Sequence, residues 1–193
     1  MYLKTIVVAT LLAGTAYAVP AHADAVLAFQ QVGTDVFATL SGSLDIDGLT
    51  ATGPAINVGE AVTPAFASVQ VGVAPMTYYE DQITGPASWG AGTTPIPPTS
   101  SSGDSFTVSG AARSLFLPAE YTSNSSLNST MLFANNTLAA MGFTLGDYGY
   151  EFPSGDTLTV RVGDSPVPEP ATMLLVGSGF GLATLLGRRK RKA

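Results

Sequence analysis

The 193-residue chain has no cysteine and a single histidine, His22. Six of its eight lysines and arginines crowd the ends: Lys4, Arg188, Arg189, Lys190, Arg191 and Lys192. The stretch between, residues 24–164, therefore lacks cysteine, histidine and lysine altogether, and Arg113 and Arg161 are its two bases. Each absence removes a chemistry. Without cysteine there is no disulfide and no thiolate nucleophile. Without histidine there is no Ser-His-Asp triad and no imidazole-held zinc, and without lysine no Schiff base. Thirteen acids stand against the two arginines, so this stretch carries a net charge of about −11. It can assemble no basic patch to displace counterions from phosphates or to adsorb on anionic lipid. We expect no nucleic-acid partner, no resident metal or cofactor, and no enzymatic activity.

What is present begins at the N-terminus. Lys4 supplies a positive start, and residues 6–18 are apolar but too short for a stable span. Two small-x-small sites follow, Ala16 with Ala18 and Ala21 with Ala23. Pro20 lies two residues past the first and hinders cleavage there. Residues 1–23 are thus predicted to be a secretory signal peptide, handled by the secretion translocon and cut after Ala23, with Ala21 and Ala23 as the recognised small residues. The exported segment, 24–164, is then 141 residues long, enough for one domain with a real core.

The last 28 residues form a three-part tail. Pro166, Val167, Pro168, Glu169 and Pro170 come first, then an uncharged stretch, 171–187, then Arg188, Arg189, Lys190, Arg191 and Lys192. A helix of 17 residues would be roughly 25 Å long, at the short end of what crosses a bilayer. The basic cluster resists translocation, which puts the body outside and the chain end inside. Pro168 and Pro170 fix φ and donate no hydrogen bond, so the proline motif is expected to be extended and open to an enzyme that grips unpaired backbone. Gly177 and Gly181 leave the span weakly anchored.

Proline motif, hydrophobic span and basic cluster, in this order at the chain end, resemble the PEP-CTERM sorting signal of Gram-negative bacteria. The resemblance implies an exported protein held transiently in the inner membrane by a C-terminal transmembrane helix. An exosortase-type enzyme then processes it, and it passes to the cell surface or into extracellular polysaccharide. On that basis Val167, Pro168, Glu169 and Pro170 are the sorting motif, and Arg188 to Lys192 are the membrane stop. The short aromatic, Asn-rich and Gly/Asp-rich segments from Leu115 onward resemble the membrane-proximal half of the same family. They bring no catalytic residue with them.

The body itself reads as all-β. Alternating or apolar runs at 25–30, 35–47, 66–73, 105–109, 114–117, 146–152 and 156–162 predict seven or eight short strands. Val36, Ala38 and Leu40 fall on one side of the second run, and Phe37, Thr39 and Ser41 on the other. An antiparallel β-sandwich is the expected architecture. Residues 89–104 carry two glycines before Pro95, Pro97 and Pro98, then three serines, and predict a long surface loop. A single helical turn is expected at 136–141, closing at Gly142.

Few side chains suggest chemistry. Asp45 and Asp47 flank Ile46 and start a calcium-loop pattern, but Leu49 and Thr50 follow where further ligands belong, so they read as solvated acids. Glu80 and Asp81 are adjacent, and on a strand they would point to opposite faces, so they cannot form a glycosidase's carboxylate pair unless they lie in a loop. Tyr78, Tyr79 and Trp89 are candidates for a sugar-stacking surface, and a carbohydrate-binding or carbohydrate-active matrix protein is the alternative function. Thr157 with Thr159 and Thr50 with Thr52 are isolated threonine pairs, too few for an ice-binding ladder. Asn124, Asn128 and Asn135 head glycosylation-type triplets in what reads as an Asn/Ser/Thr-rich loop. Tyr148 and Tyr150, around Gly149, should share one strand face.

The exported form is expected to begin at Asp24. N-terminal sequencing of protein recovered from outside the inner membrane checks this, and a start at Met1 would overturn the signal-peptide assignment.

Overall fold

A computed structural model describes residues 24–57 and 59–163 of the chain. The predicted signal peptide and cleavage residues, and the whole sorting tail, lie outside the described residues.

The all-β expectation holds: among the described residues there are twelve strands and no α-helix. The strands are β1 (Ala25–Val32), β2 (Asp35–Ser43), β3 (Gly53–Ile56), β4 (Ala61–Thr63), β5 (Ser68–Val71), β6 (Pro75–Tyr79), β7 (Ser100–Gly103), β8 (Phe106–Ser109), β9 (Ser114–Pro118), β10 (Ser126–Phe133), β11 (Gly146–Glu151) and β12 (Thr157–Val162). One sheet runs β11-β12-β1-β2-β10-β7 and the other β3-β6-β9-β8-β5-β4. Period-two patterning places their inner faces. Leu27, Phe29, Val36, Ala38 and Leu40 of the first sheet join Val69, Val71, Phe106, Val108 and Leu115 of the second in one buried apolar cluster.

The first sheet is mixed rather than purely antiparallel. β1 and β12 pair in parallel, with Ala25 opposite Leu158 and Phe29 opposite Val162. The first and last strands of the body thus lie side by side in the sheet interior. Asp24 and Gly163 leave it at opposite ends.

Two expectations are corrected. The Asn-rich segment around Asn128 is no loop. Ser126–Phe133 is a central strand of the first sheet, paired with β2 on one side and β7 on the other. Leu127, Ser129, Met131 and Phe133 point inward in strict alternation. A buried serine at the second inward position blurred that alternation in the sequence. Ser129 satisfies itself by donating its hydroxyl to the Asp104 carbonyl. The stretch 89–104 is likewise no simple surface loop. Its serines form β7, and the remainder is stitched down by single bridges, Val62 to Ile96 and Gly90 to Phe143. Gly90 and Gly142 are both left-handed, and a Cβ on either would strike the backbone of the opposite segment, so only glycine allows that crossing.

Trp89, expected at the surface, is fully buried. Its backbone N–H donates to the Pro64 carbonyl at 2.8 Å, beside the second sheet, and its carbonyl accepts from Thr144 at 2.8 Å, beside the first. The ring packs against Phe29 and meets Tyr150 edge-on. Its indole N–H donates to the Tyr150 hydroxyl at 2.7 Å, which donates in turn to the Pro86 carbonyl at 2.8 Å. Both tyrosines of β11 face inward, as the Gly149 spacing predicts.

The expected turn at 136–141 is present as one bonded turn, Met141 N–H to Thr137 carbonyl at 2.9 Å, and it closes at a left-handed Gly142.

Tyr150→Phe removes the acceptor for a buried indole N–H, and should lower stability by about 1–3 kcal/mol, read by denaturant melts. Burial pushes the Tyr150 phenol well above its ordinary value, so its neutral form belongs to the fold. Wild-type stability should hold below about pH 10 and fall above it, as unfolding frees the phenol to ionise; the Phe variant should show a shallower alkaline decline, the remainder coming from Tyr79, Tyr121 and Tyr148, which burial also raises.

Candidate functional site

The sorting motif, Val167, Pro168, Glu169 and Pro170, and the basic cluster at 188–192 lie outside the described residues, as does the span 171–187. What the structure describes is the end of the body that carries them. β12 finishes at Val162, and the Gly163 N–H donates to the Phe29 carbonyl at 2.8 Å, extending the parallel pairing by one residue. Seven residues separate Gly163 from Ala171, a reach of at most roughly 29 Å fully extended. An apolar cleft of about 290 Å³ opens at this end, lined by Gln31, Leu138, Ala139, Phe143, Leu145 and Gly163. Leu145 is 68% exposed beside it.

The candidate acids do not assemble. Asp45 and Asp47 lie past the end of β2, so they do not share a strand face as the sequence suggested. Asp45 is a structural tie: its carboxylate accepts from the Asp47 N–H at 2.9 Å and from the Ser123 hydroxyl. Its own N–H donates to the Asp156 carboxylate at 2.6 Å, and its carbonyl accepts from the Ser154 hydroxyl at 2.8 Å. Three loops are thereby laced together at one end of the first sheet. Asp156 is buried there, and its second carboxylate oxygen has no partner among the described residues. Tyr121 completes the knot: its hydroxyl accepts from the Leu44 N–H at 2.8 Å and shares its one proton between the Ser125 and Leu44 carbonyls at 2.8 and 2.9 Å; burial first, and then the Asp156 and Asp45 charges, raise its pKa. Among the described residues no three acids or histidines gather as metal ligands.

Glu80 and Asp81 follow β6. Asp81 is left-handed and pairs with Arg113 at 2.6 Å, an exposed ion pair of small worth. The sugar-stacking idea for Tyr78, Tyr79 and Trp89 fails. Tyr79 and Trp89 are buried, and Tyr78 stacks on Phe116 at 4.4 Å. Asn124 and Asn135 occupy left-handed turn positions, which asparagine tolerates; Asn128 stands exposed on β10.

The surface that sequence reasoning missed is the outer face of the first sheet. Thr39, Thr130 and Ser102 line up across β2, β10 and β7, with Phe37, Leu132 and Ser100 in the next row. The alternation of 35–43 announced half of it. The other half needed β7 and β10, which the sequence disguised as loops.

Asp45→Ala should cost about 1–3 kcal/mol through its lost ties, while Asp47→Ala should stay within about 0.5 kcal/mol, as equilibrium unfolding would report. A chelator in calcium-free buffer should leave the melting temperature in place; a fall of more than ~5 °C would reveal a bound cation at this knot.

Residues 166–192 match the family model of the PEP-CTERM protein-sorting motif. No curated protein and no solved structure matches the chain. The match covers the proline motif, the uncharged stretch and the basic cluster together, in the order that the sequence presents them. The chain therefore ends in a PEP-CTERM protein-sorting motif.

Proposed function

We propose that this chain is an exported, non-catalytic component of the cell surface or extracellular polysaccharide matrix, delivered there by an exosortase-type enzyme. The match over residues 166–192 carries this reading, since that motif implies exosortase-dependent sorting of an exported protein. In the proposal the translocon exports the body, and the 171–187 helix holds it at the inner membrane. Arg188 to Lys192 stop transfer, and the enzyme cuts at or near the Val167–Pro170 motif. Two features of the body support it. The last described strand, β12, finishes at Val162 inside a sheet, so a cut at the Val167–Pro170 motif falls outside every described strand. The exported segment also has no histidine, cysteine or lysine to activate a nucleophile. A carbohydrate-binding role is the second reading, and the exposed hydroxyl rows on the first sheet favour it.

Replacing Pro168 and Pro170 with alanine should trap full-length protein at the inner membrane. Deleting 188–192 should let the chain slip through unprocessed. Fractionation in a host with its own sorting enzyme, followed with antibody to the body, reads both outcomes. If wild type and the proline variant alike remain full-length in the inner membrane, the tail is an anchor only and the sorting reading fails.

A further inference from the structure

We infer that the outer face of the first sheet, across β2, β10 and β7, is a binding trough for a neutral polysaccharide strand. The face is built by register. Phe37, Leu132 and Ser100 form one cross-strand row, Thr39, Thr130 and Ser102 the next, and Ser41 with Asn128 a third. Neighbouring strands lie about 4.8 Å apart, and same-face residues along a strand about 6.8 Å apart, so these groups make a regular grid. Two depressions of about 310 and 390 Å³ run over it and meet at Ser102 and Thr130. Their shared lining joins them into one trough.

The lining selects the ligand class. The exported segment holds thirteen acids and two arginines, yet no charged residue lines either depression. The nearest charges are carboxylates held behind the lining, Glu60 accepting from the Ser101 hydroxyl and Asp104 from the Asn128 N–H, while the nearest cation in the Thr39 row is Arg161, two strands from β2. What the trough offers is hydroxyls, one carboxamide and an apolar end. The Ser102 and Thr130 hydroxyls bond each other at 2.9 Å, which fixes their orientation and leaves further donor and acceptor capacity on both. Phe37 is 42% exposed at one end, beside half-buried Leu132. A sugar ring has the complementary surface: hydroxyls around its edge and a C–H face that settles on an aromatic ring. A polyanion would meet repulsion from the body with no cation in the trough to offset it. A protein partner would leave these exposed hydroxyls desolvated beside little apolar area.

This inference deepens the matrix reading and rests on it, but binding and sorting are read by separate measurements. Full-length protein in non-ionic detergent is run by affinity electrophoresis through gels containing a soluble neutral β-glucan, a neutral α-glucan, a galactomannan or a polyuronate. Retardation by at least one neutral polymer, and none by the polyuronate, is expected. Phe37→Ala and Thr130→Val should each raise the apparent Kd by roughly fivefold or more. Phe66→Ala should leave it unchanged, since Phe66 is 52% exposed but lies beside the other sheet. All three sites are exposed, and melts matching wild type confirm folding. No retardation in any neutral gel overturns the site, as does equal loss in the Phe37 and Phe66 variants, or retardation by the polyuronate alone. A dimer in solution that Phe37→Ala dissolves overturns it too, because the face would then belong to a second copy. Protein that binds glycan but never leaves the inner membrane keeps the site and sinks the sorting proposal.

Discussion

The contact on which the body depends is Trp89 against Tyr150. The indole ring fills the core beside Phe29, and its N–H finds a single buried acceptor, the Tyr150 hydroxyl, at 2.7 Å. That hydroxyl passes the bond on to Pro86. The Trp89 backbone is held on both sides, to Pro64 and to Thr144. A chain without cysteine has no covalent staple, so its two sheets must be joined by packing and by bonds of this kind. The long connection between β6 and β7 looks dispensable in sequence. In the fold it carries the residue that couples the layers.

The strand order leaves the matched sorting motif outside the described sheets. The last strand pairs with β11 and β1 inside a sheet, and the described body finishes one residue later. The same order separates the two ends of the body. Asp24 is bonded to Thr157 at the start of β12, and Gly163 follows its end.

Polar groups in this body divide by burial. Where acids and hydroxyls are covered, they tie loops: Asp45 with Asp156, Ser123 and Ser154 at one end, and Glu60 with Gly72 and Ser101 between the sheets. Where they are exposed across β2, β10 and β7, the rows carry hydroxyls and a carboxamide and no charge. The acidic excess therefore sits elsewhere on the surface. It favours solubility and rejects polyanions, without defining a site of its own.

Much of this was legible beforehand. The absence of cysteine, histidine and lysine from residues 24–164 narrowed the chemistry of that stretch without any structure, because a missing functional group cannot be supplied by folding. The tail was legible for a similar reason: a proline motif, an apolar stretch and a basic cluster act through local properties that survive in one dimension. The alternation of Val36, Ala38 and Leu40 against Phe37, Thr39 and Ser41 was equally local, and it fixed the faces of β2. Tertiary structure alone decided the rest. Ser126–Phe133 became a strand because a buried serine found a carbonyl on a distant segment. Trp89 went inward because Tyr150, 61 residues away, offered its indole an acceptor. β1 met β12 in parallel only when the whole chain had closed. The hydroxyl grid exists because register set Thr39, Thr130 and Ser102 in one row. Such pairings join residues far apart in the chain, and local propensity holds no record of them.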